Sequence, residues 1–372
     1  MNEHSALAPS SMARTLQCPA SVTLAARYPE PRNDAAREGT AAHWVMSEVL
    51  AGEVCCEGQI APNGVVVTDE MIDAAELVYD HVRRVAGTAG MPAQCLEIEQ
   101  RVSIPRIHPQ CFGTPDVVWW QAPRARLHVW DLKYGHAHVG AFENAQLAAY
   151  AAGLCSDLDG FEEQACAVHL HIVQPRNYHR DGPIRTWTTT AAALRTMWNL
   201  MARAAEEALG PNPKARTGPE CKYCPARHAC PAIQTAALSV LDTVGAALPL
   251  DLPGAAAGAE LRRLRYAGEL LAARVSGLEA QVEDALRRGE QVAHWALEPS
   301  AGREAWTKPN AEILALGELY GLPISKTVPL TPKQARDKGL PAEVVKMFSA
   351  RPPGPMKLVP DDGSAARRAF GT

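Results

Sequence analysis

The sequence GTPDVVWW occupies residues 113–120, and the sequence HVWDLKYG occupies residues 128–135. Both segments are rich in β-branched and aromatic residues and are separated by a short proline-containing turn, so they predict the two strands of a β-hairpin. Side chains alternate between the faces of a strand, which places Asp131 and Lys133 on the same face. If strand pairing brings Asp116 beside them, two carboxylates and one ammonium group meet at a single place.

Two carboxylates this close repel each other unless a cation neutralises them. Carboxylate oxygens are hard ligands of the kind that Mg²⁺ and Mn²⁺ prefer. A lysine beside such an ion stabilises negative charge that develops on an attacking water or on a phosphate group. The hairpin therefore predicts a metal site with hydrolytic chemistry, although exposed hairpin charges give the same short pattern. The rest of the chain has to distinguish the two interpretations.

Composition limits the class of protein. The 372 residues are 47% hydrophobic and 21% charged, which is typical of a globular protein with one large domain or two. A net charge of −4 gives no overall basic surface, so any contact with nucleic acid must come from a local patch. We expect neither secretion nor a membrane span, since no leader-like segment and no run of about 20 apolar residues occurs. Ten cysteines then indicate the reducing cytoplasm, with thiols or metal ligands in place of disulfides.

Two helices near the hairpin carry polar residues at notable positions. Thr40 predicts the start of a helix that places His43 in its first turn. A lone histidine there is more often structural than functional. Residues 144–154 predict a second helix, in which Gln146 and Tyr150 are four residues apart and share one face. Because the helix is otherwise rich in alanine and leucine, we expect that face to turn toward a cleft.

The surrounding segments predict the rest of the fold. Residues 69–86 form an amphipathic helical pattern, and residues 96–104 alternate apolar and polar residues as a half-buried strand does. Residues 165–175 predict another strand, and residues 187–210 predict a long amphipathic helix. The order of helix, three strands, helix and strand predicts an α/β fold with a mixed sheet flanked by helices.

A cysteine-rich loop follows. Cys221, Cys224 and Cys230 have the spacing C-x2-C-x5-C between prolines, which is typical of a metal site and hard to explain by packing. Three thiolates need a fourth ligand. His228 would complete a zinc site, whereas Cys18, about two hundred residues upstream, would give four cysteines around a 4Fe–4S cluster. The residues alone leave both alternatives open.

After this loop the composition shifts to alanine, glycine and proline. The shift predicts a linker at 236–259 between a domain at 1–235 and a C-terminal region at 260–372. We expect the C-terminal region to be mainly helical, with one long helix at 260–288, a shorter one at 332–347 and an extended tail.

Several of these motifs together resemble one nuclease family. Pro115-Asp116 followed by Asp131-Leu132-Lys133 matches the signature of the PD-(D/E)XK nuclease superfamily. The upstream histidine and the downstream Gln-x-x-x-Tyr pair resemble motifs of its RecB-like members. One cysteine before the core and three after it resemble the iron–sulfur subgroup. The chain is thus similar to RecB-like PD-(D/E)XK nucleases with a four-cysteine clasp, of the type found in phages and prophages.

This resemblance implies a restriction-endonuclease-like core closed by an iron–sulfur clasp. It implies a metal-dependent deoxyribonuclease, in particular an exonuclease, acting with Mg²⁺ or Mn²⁺ in phage-type DNA replication or recombination. DNA is the implied partner, with a single-strand-binding or annealing protein as a second. The implied catalytic and metal-ligating residues are His43, Asp116, Asp131, Leu132 (through its carbonyl), Lys133, Gln146 and Tyr150. The implied cluster ligands are Cys18, Cys221, Cys224 and Cys230.

Two other functions compete with this one. A catalytically weak module on the same fold would bind DNA or a replication protein without cleaving it, and the intact carboxylates and lysine argue against that. A zinc-containing structural or adaptor protein would need His228 in place of Cys18.

Overall fold

A computed structural model of the protein describes residues 5–28, 34–87, 96–121, 125–244 and 253–295. The chain divides into two compact units, Met1–Ala293 and His294–Thr372. The helix predicted at 332–347 and the predicted extended tail lie outside the described residues.

The first unit combines helices and strands. Its α-helices are α1 (Met12–Gln17), α2 (Ser21–Ala25), α3 (Asp34–Ala51), α4 (Asp69–Gly87), α5 (Ala145–Leu154), α6 (Gly160–Ala165), α7 (Ala191–Leu209), α8 (Pro231–Val244) and α9 (Gly254–Arg287). Its strands are β1 (Leu96–Ile98), β2 (Val102–Ser103), β3 (Phe112–Gly113), β4 (Val117–Gln121), β5 (Arg126–Leu132), β6 (Ala167–Val173) and β7 (Ile184–Thr190). Short 3-10 helices occupy Pro9–Ser11 and Pro219–Tyr223.

The main sheet has five strands in the order β1-β4-β5-β6-β7. The pair β5–β6 is parallel and the other pairs are antiparallel, so the sheet is mixed. Side chains of β5 alternate between two hydrophobic clusters. Leu127 and Val129 pack with α5 and α7, and Trp130 and Leu132 pack with α3 and α4. The prediction of an α/β fold with a mixed sheet flanked by helices is confirmed.

The predicted hairpin of β4 and β5 is also confirmed. Val117 pairs with Trp130 at one end, and Gln121 pairs with Arg126 at the other. Strand β5 ends at Leu132, and the amide of Lys133 then donates a hydrogen bond of 2.8 Å to the carbonyl oxygen of Val173, the last residue of β6. Because β5 and β6 are parallel, their carboxyl ends lie at the same edge of the sheet.

The prediction of one continuous strand at 96–104 is wrong, because two short strands occupy this segment. Strand β1 stops at Ile98, because Glu99 adopts a φ of +46° that is incompatible with an extended strand. Beyond this point β2 pairs with β3 in a separate two-stranded sheet. The alternation of apolar and polar residues is interrupted at the bend, where Glu99, Gln100 and Arg101 are all polar.

Two predicted helix starts are wrong. Residues 187–190 belong to β7, and α7 begins only at Ala191, where the hydroxyl of Thr190 accepts a hydrogen bond of 3.2 Å from the amide of Ala193. Helix α3 begins at Asp34, so Thr40 lies inside it and donates its hydroxyl to the carbonyl oxygen of Ala36. His43 therefore lies in the third turn of α3.

The predicted boundary after the cysteine loop is not a boundary between the two units, because the first unit extends to Ala293. The predicted linker overlaps two helices: residues 236–244 belong to α8 and residues 254–259 to α9. Alanine favours helices strongly, so an alanine-rich segment is not specific for a linker. Within the described ranges, no helix has the length and apolar character needed to cross a bilayer.

Candidate functional site

The two carboxylates of the hairpin converge at the carboxyl end of β5. Asp116 is 7% exposed and Asp131 is 2% exposed. Nδ1 of His43, on α3, lies 3.1 Å from Oδ1 of Asp116. The amide of Leu132 donates a hydrogen bond of 2.6 Å to Oδ2 of the same carboxylate. Asp116 is thus held from both sides, and the observed contact of Leu132 is made by its amide.

Asp131, Lys133 and Gln146 form a closed triangle. Nζ of Lys133 lies 2.7 Å from Oδ2 of Asp131 and donates a hydrogen bond of 2.7 Å to Oε1 of Gln146. Nε2 of Gln146 donates a hydrogen bond of 2.8 Å to Oδ1 of Asp131. Tyr150, one turn later on α5, donates its hydroxyl to the carbonyl oxygen of Thr114 at 3.0 Å. The structure therefore brings both predicted α5 side chains against the hairpin.

In this cluster, burial and neighbouring charges shift the pKa values of His43 and Asp131 in opposing directions. Burial lowers the pKa of His43, but the charge and hydrogen bond of Asp116 raise it further, to about 9. The pKa of Asp131 is raised, mainly by burial. The charge of Lys133 lowers it in part, and the charge of Asp116 raises it further. Protonated His43 and Lys133 are therefore the cations that offset the two buried carboxylates in the absence of a metal.

One oxygen of the cluster fits a cation. Oδ2 of Asp131 is buried, and Nζ of Lys133 lies 2.7 Å away, so this oxygen already faces a cation. A buried carboxylate oxygen needs such a charged partner. Two carboxylates and one imidazole are a donor set that suits Mn²⁺ or Mg²⁺. We refer to His43, Asp116, Asp131 and Lys133 as the carboxylate centre.

An arginine that the sequence did not reveal lies next to the carboxylate centre. NH1 of Arg176 lies 3.1 Å from Oε2 of Glu38 on α3, and its Nε lies 3.3 Å from Oε1 of Glu70 on α4. Its guanidinium carbon also lies 4.5 Å from the ring centroid of Tyr134, the residue after Lys133. Arg176 thus ties the end of β6 to both helices that cover this edge of the sheet.

Gln174 is a second residue that sequence analysis missed. It is fully buried, and its amide nitrogen donates hydrogen bonds to the carbonyl oxygens of Gly135 and Ala137 at 2.7 and 2.6 Å. Its amide oxygen accepts bonds from the amide of Val139 and from Arg185. All four hydrogen-bonding positions are used, so Gln174 fixes the loop that joins β5 to α5. A glutamine before proline at the end of an apolar strand was the available signal.

The structure also brings together the four predicted cysteines. Cys18, which directly follows α1, lines one cavity with Cys221, Cys224 and Cys230. Backbone amides point at two of the sulfur atoms: Arg216 donates to Sγ of Cys18 at 3.3 Å, and Gly218 donates to Sγ of Cys221 at 3.3 Å. Such hydrogen bonds stabilise thiolates and tune metal–thiolate clusters. We refer to this space as the cysteine cavity.

His228 is not among the residues that line the cysteine cavity. Its Nε2 lies 2.7 Å from Nε2 of Gln281 on α9, and its ring packs edge-on against Tyr28. Of the two predicted fourth ligands, Cys18 lines the cysteine cavity and His228 does not.

The fold and these two groups define an α/β protein with a buried carboxylate centre and a separate four-cysteine cavity. A family model described as "Protein of unknown function (DUF2800)" matches residues 4–364, and the chain belongs to this family. The solved crystal structure of SSO0001 is similar to this chain with 16% identity and a TM-score of 0.31, over 62% of this chain and 89% of that one. A similarity this low says nothing about activity.

Proposed function

We propose that the protein is a metal-dependent DNA nuclease that hydrolyses phosphodiester bonds, working as an exonuclease in phage-type DNA replication or recombination. The observation that supports this most is the carboxylate centre, in which two buried carboxylates, a lysine and a histidine converge. In this proposal the five-stranded sheet and its helices are the restriction-endonuclease-like core of a RecB-like PD-(D/E)XK nuclease.

His43, Asp116 and Asp131 would hold Mg²⁺ or Mn²⁺ together with the carbonyl of Leu132. When bound, the ion neutralises the two carboxylates and stabilises negative charge on the phosphate during hydrolysis. The two buried carboxylates support this assignment because Asp116 and Asp131 bring like charges together, and each of them already contacts a cationic side chain. His43 has to lose its proton before its Nδ1 can act as a ligand.

The remaining residues hold this arrangement in place. Lys133 is fixed by Asp131 and Gln146, so its ammonium can donate a hydrogen bond to the attacking water without first losing rotational freedom. Tyr150 connects α5 to Thr114, two residues before Asp116. Burial raises the pKa of Tyr150, so its hydroxyl stays protonated and remains a donor.

We further propose that the cysteine cavity holds a 4Fe–4S cluster. The support is the common cavity and the amide-to-sulfur hydrogen bonds at Cys18 and Cys221. Such a cluster would join the end of α1 to the loop after α7 and close a loop of about two hundred residues. A crosslink over so long a loop is worth on the order of 5 kcal/mol in the chain-entropy picture.

Iron content tests the clasp. Cys18→Ser should remove iron and visible absorbance from anaerobically purified protein, and should lower the melting temperature about as much as Cys224→Ser does. His228→Ala is the matched control in the same loop and should retain iron, even if the loss of its contacts with Gln281 and Tyr28 lowers stability. Stoichiometric zinc that depends on His228 and not on Cys18 would contradict the proposal.

Cleavage of labelled DNA tests the nuclease function. With Mn²⁺, the protein should degrade end-labelled linear DNA and leave covalently closed circular DNA intact, and EDTA should stop the reaction. Cleavage of the circular substrate would assign an endonuclease. If neither substrate is cut by folded, metal-supplied protein while DNA still binds, the protein is the catalytically weak binding module instead.

A further inference from the structure

Helix α9 carries apolar residues on two of its sides. The buried side packs against α8 and against the 3-10 helix at Pro219–Tyr223, and its buried residues are Ala267, Leu270, Ala273 and Gly277. The other side carries a row of large apolar side chains that are 38–52% exposed, namely Leu261, Leu264, Leu271, Val275 and Leu278. The helical repeat places the two sides about 130° apart. The exposed row is therefore separate from the packing that holds α9 on the first unit.

The exposed row follows a seven-residue repeat. In the heptad notation a to g, the d positions are Leu264, Leu271 and Leu278, and the a positions are Leu261, Gly268, Val275 and Val282. We refer to these seven residues as the α9 seam. Apolar residues at a and d over more than three heptads are typical of a coiled coil. Valine at a together with leucine at d favours a pair of parallel helices.

Charged residues beside the α9 seam match those of a second copy of the chain. Arg274 is at a g position, and Glu279 is at the e position five residues later. In a parallel pair, each g side chain lies beside the following e side chain of the other helix, so Arg274 would meet Glu279 of the second copy. Within the described part of the chain, neither side chain forms an ion pair. Glu260 and Arg265 repeat the match two heptads earlier, although Glu260 also lies 3.2 Å from Arg263.

Exposed leucines on another helix do not form such a row. Helix α7 carries Leu200, which is 52% exposed, and Leu209, which is 38% exposed. They are nine residues apart, which places them on opposite sides of the helix, about 180° apart. Single exposed leucines are ordinary on a protein surface. The α9 seam differs from them in its alignment and not in the exposure of its members.

We propose that the α9 seam is a dimer interface, at which two copies of this chain pair as a parallel two-stranded coiled coil. This inference does not depend on the proposed nuclease function. An antiparallel pair with a and d residues facing each other would place Arg274 opposite its own copy, so the charges also favour the parallel arrangement. Gly268 gives its layer of the seam no side chain. A Cβ at Gly268 would meet no atom within 4 Å among the described residues, so this layer has room for one.

Analytical ultracentrifugation of the full-length protein over a range of concentrations tests the interface. The wild type should sediment as a dimer that dissociates on dilution. Leu271→Glu should raise the dissociation constant about a hundredfold or more, because it removes two leucines from the middle of the seam and places two carboxylates there. Leu200→Glu is the matched control, an exposed leucine on α7, and should leave the dissociation constant unchanged. Far-ultraviolet circular dichroism verifies that each variant is folded.

Further variants test the register and the direction of the helices. Gly268→Ile should tighten the dimer about tenfold or more, because it adds an apolar side chain to each copy at an a position. Glu279→Arg should weaken the dimer about fivefold, because it brings like charges together at two places. Combining it with Arg274→Glu should restore wild-type affinity, since the parallel pair then regains opposite charges.

Three results would overturn the proposal. The first is a wild type that stays monomeric throughout the micromolar range, which would leave the seam to a partner of different sequence. The second is a dimer that survives Leu271→Glu unchanged, which would place the interface on another surface. The third is a charge-swapped double variant that dimerises no better than Glu279→Arg alone, which would contradict the parallel pairing.

Discussion

Strand β5 separates two buried groups of ionisable side chains, one of which is charged and the other neutral. Toward α5 lies Asp131, paired with Lys133, and its pKa is raised by burial and by the second carboxylate. Toward α4, His128 stacks with Trp130 and His171, and burial together with neighbouring histidines lowers the pKa of His128 to about 3. The side toward α5, which we call the carboxylate side, holds paired charges of opposite sign. The side toward α4, which we call the histidine side, holds neutral groups.

The histidine side is complete without a ligand. Nδ1 of His128 lies 3.1 Å from Nε2 of His171, whose Nδ1 lies 2.9 Å from the hydroxyl of Thr186. The carboxylate side instead brings two buried like charges together, with His43 and Lys133 as their cations. A neutral cluster that satisfies its own hydrogen bonds serves packing, whereas a cluster that concentrates like charges is arranged for a ligand.

The largest expected effect concerns the carboxylate side. Asp116→Asn, Asp131→Asn and Lys133→Ala should each lower the rate of Mn²⁺-dependent DNA cleavage by about a hundredfold or more, because each removes a charge that acts on the reacting phosphate or its metal. Initial rates on end-labelled DNA measure this. Near-normal cleavage by any one variant would remove that residue from the mechanism.

The same variants test whether this side contributes to stability. Asp131→Asn keeps the side-chain shape and an acceptor for Gln146 but removes a carboxylate charge. Because the pKa of Asp131 is raised in the folded protein, that charge is less favourable in the folded state than in the unfolded state. Its melting temperature in EDTA should therefore equal or exceed that of the wild type. A clearly lower melting temperature would mean that the carboxylate side stabilises the fold as the histidine side does.

Acid should destabilise the protein through the histidine side. His81, His128, His169 and His171 all have pKa values lowered by burial, so the unfolded chain takes up protons first. Their contribution to stability is complete above pH 6.5 and is lost as the pH falls toward about 3. The loss is about 1.4 kcal/mol per pH unit for a fully buried histidine. Urea unfolding between pH 7 and pH 4.5 measures it.

Two variants test whether the buried histidines cause this loss of stability in acid. His171→Leu removes the most buried of these histidines and should flatten the dependence of unfolding free energy on pH, although it lowers stability at pH 7. His136→Leu changes an exposed histidine and should leave the slope unchanged. Equal slopes in His171→Leu and wild type would contradict a neutral, buried histidine cluster. DNA cleavage by His171→Leu at neutral pH should stay close to normal.

The smallest expected effect concerns His43. His43→Ala should raise the Mn²⁺ concentration needed for half-maximal cleavage about tenfold or more, since it removes one ligand and leaves the carboxylates in place. Because His43 is the cation beside the buried Asp116, its loss should also lower the melting temperature in EDTA, and saturating Mn²⁺ should reduce that loss. An unchanged requirement for Mn²⁺ would assign His43 a structural role beside Asp116.

The carboxylate side could be predicted from local patterns because short-range geometry fixes it. Alternation along β5 joins Asp131 to Lys133, a tight hairpin brings Asp116 beside them, and helical spacing aligns Gln146 with Tyr150. The histidine side could not, because His128 and His171 lie on strands separated in sequence and meet only through the parallel register of β5 and β6.

Other features depended on backbone geometry that residue types do not encode. The positive φ of Glu99 ends β1, and the three consecutive polar residues 99–101 do not by themselves distinguish this bend from an exposed part of one strand. Strand β7 runs directly into α7, so the helical pattern concealed a strand that is held by pairing with β6. Three of the four side-chain hydrogen bonds of Gln174 reach residues 35 to 39 positions earlier in the chain, and no local pattern reports such a contact.

Calorimetric titration with Mn²⁺ tests the central claim most directly, namely that the α5 side of β5 is a cation site and the α4 side is not. Wild-type protein should show a saturable binding event that Asp131→Asn abolishes and His171→Leu retains. If Asp131→Asn binds Mn²⁺ as the wild type does, or if the binding event disappears only in His171→Leu, the assignment of the two sides is contradicted.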